Sequence, residues 1–310
     1  MNNSSADVLE FCLAKAGQVN EDSRTFLAVL ILLFSLIGIF TNSALLTVFI
    51  IHWKSSFGSQ HFTHFVINMI ISGLLYSATN LWVSVPCTFN ECHFMRSDQL
   101  MIILSTPNTL AHWGYLLSAA ALTIYRFGIF VSKCFAYKTT WIRILLISPW
   151  VLTAIITFGT TAMGCYKRYN RHSLGYTYNC SECNIAFGIS FIDVNFYGGQ
   201  AIPILMICAY IIILVCIYRG RKRGVATQRE SRVDAKLALQ FTVICCSQYL
   251  TAFLFFIVPK ASKGAVWGVL TMNTIGLNLF FRDYCGGFAY PISFRSHQCL
   301  SESNGLTPLQ

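Results

Sequence analysis

The sequence predicts an all-α fold: a bundle of seven transmembrane helices with the N-terminus outside and the C-terminus cytoplasmic. Three observations carry that expectation. Of the 310 residues, 55% are hydrophobic and only 11% charged, against roughly 25% charged in an ordinary soluble domain. Too little polar material exists to cover two soluble cores, so lipid is the expected solvent. The apolar residues gather in long, nearly uncharged runs, and a membrane span needs about 20 residues. The basic residues then divide unequally between alternate connections. Because the runs are continuously apolar and do not alternate, helices are expected over barrel strands.

Residues 1–25 are polar, with Asp7, Glu10, Lys15, Glu21, Asp22 and Arg24, and lack the basic start and short apolar stretch of a cleaved signal. They are expected to remain as an extracellular N-terminus. The membrane domain is placed at 26–294. Its first span, about 26–52, carries no charge from Phe26 to Ile51, too long for a signal and enough for a tilted helix. A loop with Lys54 and His61 leads to the second, 62–86, and the third, 100–131, is interrupted only by Arg126 near its end. The fourth is placed at 141–164 and the fifth at 189–218, separated by a loop with Lys167, Arg168 and Arg171. A basic stretch, Arg219 to Lys236, precedes the sixth span at 237–258. The seventh, 265–292, has an open end because Arg282 and Asp283 interrupt it, and 295–310 form a short cytoplasmic tail.

With the N-terminus outside, 13 bases and three acids fall on the cytoplasmic side, and eight bases meet eight acids on the other. The whole net charge of +10 then lies inside, as the positive-inside rule prefers. No polar domain exists to carry a basic face to nucleic acid, so the expected basic partner is membrane lipid.

Among the 13 cysteines, Cys12, Cys87, Cys92, Cys165, Cys180 and Cys183 fall on the oxidising side. The spacing Cys180-x-x-Cys183 could hold zinc, but in an extracellular loop disulfide chemistry is favoured, and no metal site is expected. Cys87 or Cys92 is expected to bridge to Cys165, Cys180 or Cys183, tying two outer loops together. Asn2, Asn3 and Asn179 each begin an N-x-Ser sequon and are candidate glycosylation sites. Phosphate-binding, dinucleotide, metalloprotease and nucleophile-elbow motifs are all missing. No catalytic residue, no cofactor and no enzyme activity are expected.

Several marks follow one another in order: Thr41-Asn42 in span one, Tyr125-Arg126-Phe127 in span three, Trp150 in span four, Pro203 in span five, and Tyr290-Pro291-Ile292-Ser293-Phe294 in span seven. They resemble the Gly-Asn, Asp-Arg-Tyr and Asn-Pro-x-x-Tyr marks of rhodopsin-like G-protein-coupled receptors. Ser56-Phe57-Gly58, Ile124 to Phe130, and Gln240 with Gln248 resemble nematode serpentine chemoreceptors, class X most closely. The resemblance implies a chemosensory receptor that binds a small molecule in the outer half of the bundle and signals to a heterotrimeric G-protein, in the cell membrane, with sensory cilia as one expected place. The departures also matter. Tyr125 replaces the acid beside the arginine, Gly73 stands where an aspartate would hold sodium, and Cys245-Cys246-Ser247-Gln248 has no proline.

Asn108, His112 and Tyr115 stand at i, i+4 and i+7, on one helical face. With Asn195 and Asp283 they are the candidate ligand contacts, against the plainer reading that polar groups only join helices. Arg126, Arg221, Lys222 and Arg223 are the candidate G-protein contacts, against simple interfacial anchoring. A seven-helix ligand-gated channel of the insect odorant-receptor kind is the alternative, disfavoured by the charge count.

Overall fold

The computed structural model describes residues 11–13, 21–54, 61–90, 92, 97–132, 139–178, 181, 183, 184, 190–222, 238–250, 252–254 and 257. The seventh span, the C-terminal tail, Asp283, Asn2, Asn3, Asn179, Cys180 and Arg223 lie outside them.

Five helices are long and apolar enough to cross a membrane. We number them α1 (Glu21–Ile51), α2 (His61–Asn90), α3 (Asp98–Phe127), α4 (Thr139–Ala162) and α5 (Phe191–Lys222). A further helical segment, α6, covers 238–250. Between α4 and α5 lies an antiparallel hairpin of β1 (Arg168–Asn170) and β2 (Gly175–Thr177), with Tyr169 opposite Tyr176. The all-α expectation did not include this hairpin.

Burial is inverted relative to a soluble protein. Phe40, Ile103, Ile147, Ile155 and Leu205 face outward, while Ser72, Thr79, Ser105, Asn108, Ser118 and Thr153 are buried. That distribution suits hydrocarbon around the bundle and small polar side chains between helices. The chain is a multi-pass membrane protein.

Helix α3 is the central element, packed on α2, α4 and α5. On α4 the buried residues Ile142, Pro149, Thr153, Thr157 and Thr160 form one stripe of helical spacing. Two glycines permit close crossings. A Cβ on Gly38 of α1 would meet Ser77 Oγ at 2.6 Å, and one on Gly114 of α3 would meet Ser72 Oγ at 3.0 Å and the Trp150 ring of α4 at 3.5 Å.

Within α2, residues Asn80–Ser84 widen into a π turn, and the Val85 N–H donates to the Asn80 carbonyl five residues back. Pro86 follows at once. It has no N–H, and its ring clashes with the carbonyl four residues earlier, so widening the preceding turn relieves that conflict.

The disulfides differ from the expected bridge between outer loops. Cys87 pairs with Cys92, and Cys165 with Cys183. Just beyond α2 the chain reverses through Cys92 at φ 59°, which carries its sulfur back to the last helical turn. Cys165 and Cys183 belong to one connection, separated by 18 residues. Each of these two bridges therefore closes a local loop, and hydrogen bonds and an ion pair join the two connections. Cys12 is also disulfide-bonded.

Candidate functional site

The hairpin lies across the end of the bundle where α2 stops and α3 begins. Arg168 Nη1 donates to Asp98 Oδ1 at 2.8 Å, joining β1 to the first turn of α3. The Tyr169 hydroxyl shares a hydrogen bond with Thr88, and the Tyr176 hydroxyl accepts one from Ser84 at 3.1 Å. Asn170 closes the turn, its Oδ1 accepting the His172 N–H at 2.9 Å, while its Nδ2 donates to the Leu13 carbonyl at 3.1 Å. Leu174 takes φ 53°, a region few residues other than glycine occupy. Its side chain is buried against Leu27 and Ile31 of α1 and Val85 of α2, which holds the backbone there.

This arrangement folds Lys167, the residue before β1, inward over α3. Its Nζ donates to Asn108 Oδ1 at 2.7 Å. The ammonium also lies over the rings of Tyr176 at 5.4 Å and Tyr178 at 5.9 Å. Tyr178 is braced edge-on by Phe191 at the start of α5, with centroids 5.7 Å apart. No carboxylate among the described residues pairs with Lys167, since its neighbour Arg168 takes Asp98. Burial lowers the Lys167 pKa from 10.5 to about 8, because a desolvated ammonium is compensated only by a neutral amide and two ring faces.

Of the ligand contacts expected from sequence, Asn108 and His112 converge here. Asn108 is 2% exposed and holds the lysine, and His112, one turn deeper, lies within electrostatic reach of it. Tyr115 belongs to the main apolar core. Asn195 is half-buried on α5 with no hydrogen bond to this group among the described residues. Sequence reasoning passed over Lys167 and also Gln200. Both side-chain amide atoms of Gln200 on α5 and of Gln248 on α6 are buried without a hydrogen-bond partner. Such atoms are open to a bound molecule or water. Gln200 falls two residues beyond Gly198, where an added Cβ would stand 3.3 Å from the Trp113 ring of α3.

A second polar constellation lies about 27 Å along α3, at 1.5 Å per residue over the 18 residues from Asn108 to Arg126. Arg126 is 7% exposed, so it does not extend to an interface. Its guanidinium sits between the rings of Phe62 on α2, at 4.8 Å, and Phe241 on α6, at 4.7 Å. The Phe241 ring in turn stacks on Tyr210 of α5 at 5.7 Å. Tyr125, in the place of the expected acid, turns away and stacks on Phe65 of α2 at 5.3 Å. Arg221 and Lys222 end α5. Among the described residues no group of three or more metal-ligating side chains occurs.

The fold has solved counterparts. A crystal structure of squid rhodopsin is similar with a TM-score of 0.66 at 13% identity, over 94% of this chain and 89% of that one. The chain thus shares the transmembrane helical-bundle fold of that structure. No curated protein matches the sequence. Residues 17–261 match the family described as "Protein of unknown function (DUF621)", and the chain belongs to that family.

Proposed function

We propose that this protein is a chemosensory G-protein-coupled receptor of the cell membrane, with its hairpin end outside. In this reading a small molecule binds beneath the hairpin, beside Asn108, His112 and Lys167, and the Arg126 end couples to a heterotrimeric G-protein. The observation that carries the reading is the desolvated Lys167–Asn108 pair under a hairpin in a lipid-facing bundle. A half-buried cation with no acid partner among the described residues is an unusual expense for a purely structural contact. The rhodopsin-type fold supports a receptor over the channel alternative. The seven bases from Arg219 to Lys236, including Arg221, Lys222 and Arg223, follow α5 at the same end as Arg126 and are the proposed coupling surface. Glycosylation at Asn2, Asn3 or Asn179 would accompany an outside N-terminus.

The test is expression in cultured cells with a calcium and a cAMP readout, screened against volatile and water-soluble small molecules. Responses that vanish when the G-proteins are deleted are expected. Ligand-gated current that survives that deletion would replace the receptor reading with the channel one.

A further inference from the structure

We infer that the ligand is a small organic acid whose carboxylate docks on the Lys167 ammonium. This inference rests on the receptor reading and gives its ligand a chemical class.

Three features of the geometry point to an anion. Lys167 places a cationic side chain against Asn108 of α3, and its hydrogen-bond acceptor there is a neutral amide oxygen. Asp98, in the first turn of α3, is already held by Arg168 at 2.8 Å, and no carboxylate among the described residues pairs with the lysine. The surroundings are otherwise aromatic, with Tyr176 and Tyr178 presenting ring faces to the ammonium. An ammonium has three donors, and among the described residues it has one hydrogen-bonded acceptor. Two donors therefore remain for the two oxygens of a carboxylate. The lysine is half-buried and not sealed, which leaves an approach for a partner. Docking an anion would give this half-buried charge, which has no carboxylate partner among the described residues, a charge-assisted pair in a setting drier than bulk water, where such bonds are stronger. An amine-bearing ligand would meet like charge, and a neutral ester would leave the charge uncompensated.

The experiment uses the full-length protein, both in cells and purified in lipid nanodiscs. The probes are a series of straight-chain and branched carboxylic acids, with the methyl ester, alcohol, aldehyde and amine of each chain. Binding is read as thermal stabilisation of the nanodisc protein, and signalling as G-protein activation in cells. At least one acid should stabilise the protein and activate it, with its ester and amine weaker by about ten- to hundredfold, the range of one charge-assisted hydrogen bond. Lys167→Gln should remove that preference, whereas Lys167→Arg should keep much of it. Because glutamine removes a desolvated charge, the unliganded Lys167→Gln protein should melt no lower than the parent, so loss of binding would not be loss of fold. Equal potency of acid and ester, or an acid response unchanged in Lys167→Gln, overturns the inference while leaving the receptor reading in place. Aldehydes acting where acids do not would also overturn it. Acids that bind through Lys167 without activating any G-protein would instead overturn the receptor reading and keep the site.

Discussion

The two ends of the bundle each hold a cation between two aromatic rings, yet the two are built for different work. At the hairpin end, both rings facing Lys167 come from the same connection, Tyr176 and Tyr178, and the hydrogen-bond acceptor comes from α3. At the other end, the rings facing Arg126 come from two different helices, Phe62 of α2 and Phe241 of α6. Lysine is compact and can lose its proton when desolvated, whereas arginine is planar and permanently charged. The first arrangement can respond to what arrives beside it. The second responds to where its neighbours stand, because separating α6 from α3 removes a ring from the guanidinium. In the proposed receptor, chemistry would lie at one end and mechanics at the other.

The largest expected effect comes from detaching the hairpin. Replacing Cys165 and Cys183 with serine opens a loop of 18 residues, a change of about 3 kcal/mol for a loop of that size. Ligand responses should fall below detection at normal doses, while ligand-independent G-protein turnover, set at the Arg126 end, stays at its parental level per receptor on the surface. Retained ligand potency would mean that the helices alone position Lys167, and the contrast between the ends would weaken.

Next in size is Phe241→Leu, which keeps apolar volume but takes one ring from Arg126 and the stacking partner from Tyr210. A desolvated cation–π contact is worth about 2 kcal/mol, so basal turnover should rise by up to roughly thirtyfold if that contact is lost on activation. Phe241→Tyr should remain near the parent. A leucine variant with unchanged basal turnover would show that the clasp persists in both states.

The smallest effect is a pH dependence confined to the hairpin end. The Lys167 ammonium, lowered to about 8 by burial, is mostly present at pH 7 and mostly lost at pH 9. Potency of an acid agonist should therefore fall about tenfold between those values. The groups that face the lysine are His112 from α3 and the phenols of Tyr176 and Tyr178. Burial raises both phenol pKa values, so they keep their protons in that range. Lys167→Arg should flatten the profile, which separates lysine from His112. For the unliganded protein the sign reverses: the native pKa lies below the unfolded 10.5, so stability should increase as pH rises from about 8 toward 10.5.

The membrane bundle was legible because lipid imposes its demand residue by residue: long uncharged runs can be counted directly. The spacing of Asn108 and His112 aligns them on α3 by helix geometry alone. Lys167 was illegible for the opposite reason. In the sequence it is one of three bases in a connection, beside Arg168 and Arg171. Only the turn at Asn170 and the Asp98–Arg168 pair determine that Lys167 points inward while Arg168 is used elsewhere. The disulfide partners were illegible too, because four or five cysteines at one end admit many pairings and the reversal at Cys92 leaves no mark in composition. Phe62 and Phe241 look like ordinary span residues until α2 and α6 close on Arg126.

Leu174 has a consequence for how the hairpin can move. Its backbone occupies a conformation that costs a residue with a side chain about 1–2 kcal/mol, and burial beside Leu27, Ile31 and Val85 offsets that cost. Lifting the hairpin would expose the leucine and free its backbone to rotate to negative φ in the same step. Intermediate positions would keep the strain and lose the burial. Leu174 therefore acts as a latch: its burial holds both its own backbone and the hairpin in the seated position, and the two would be given up together.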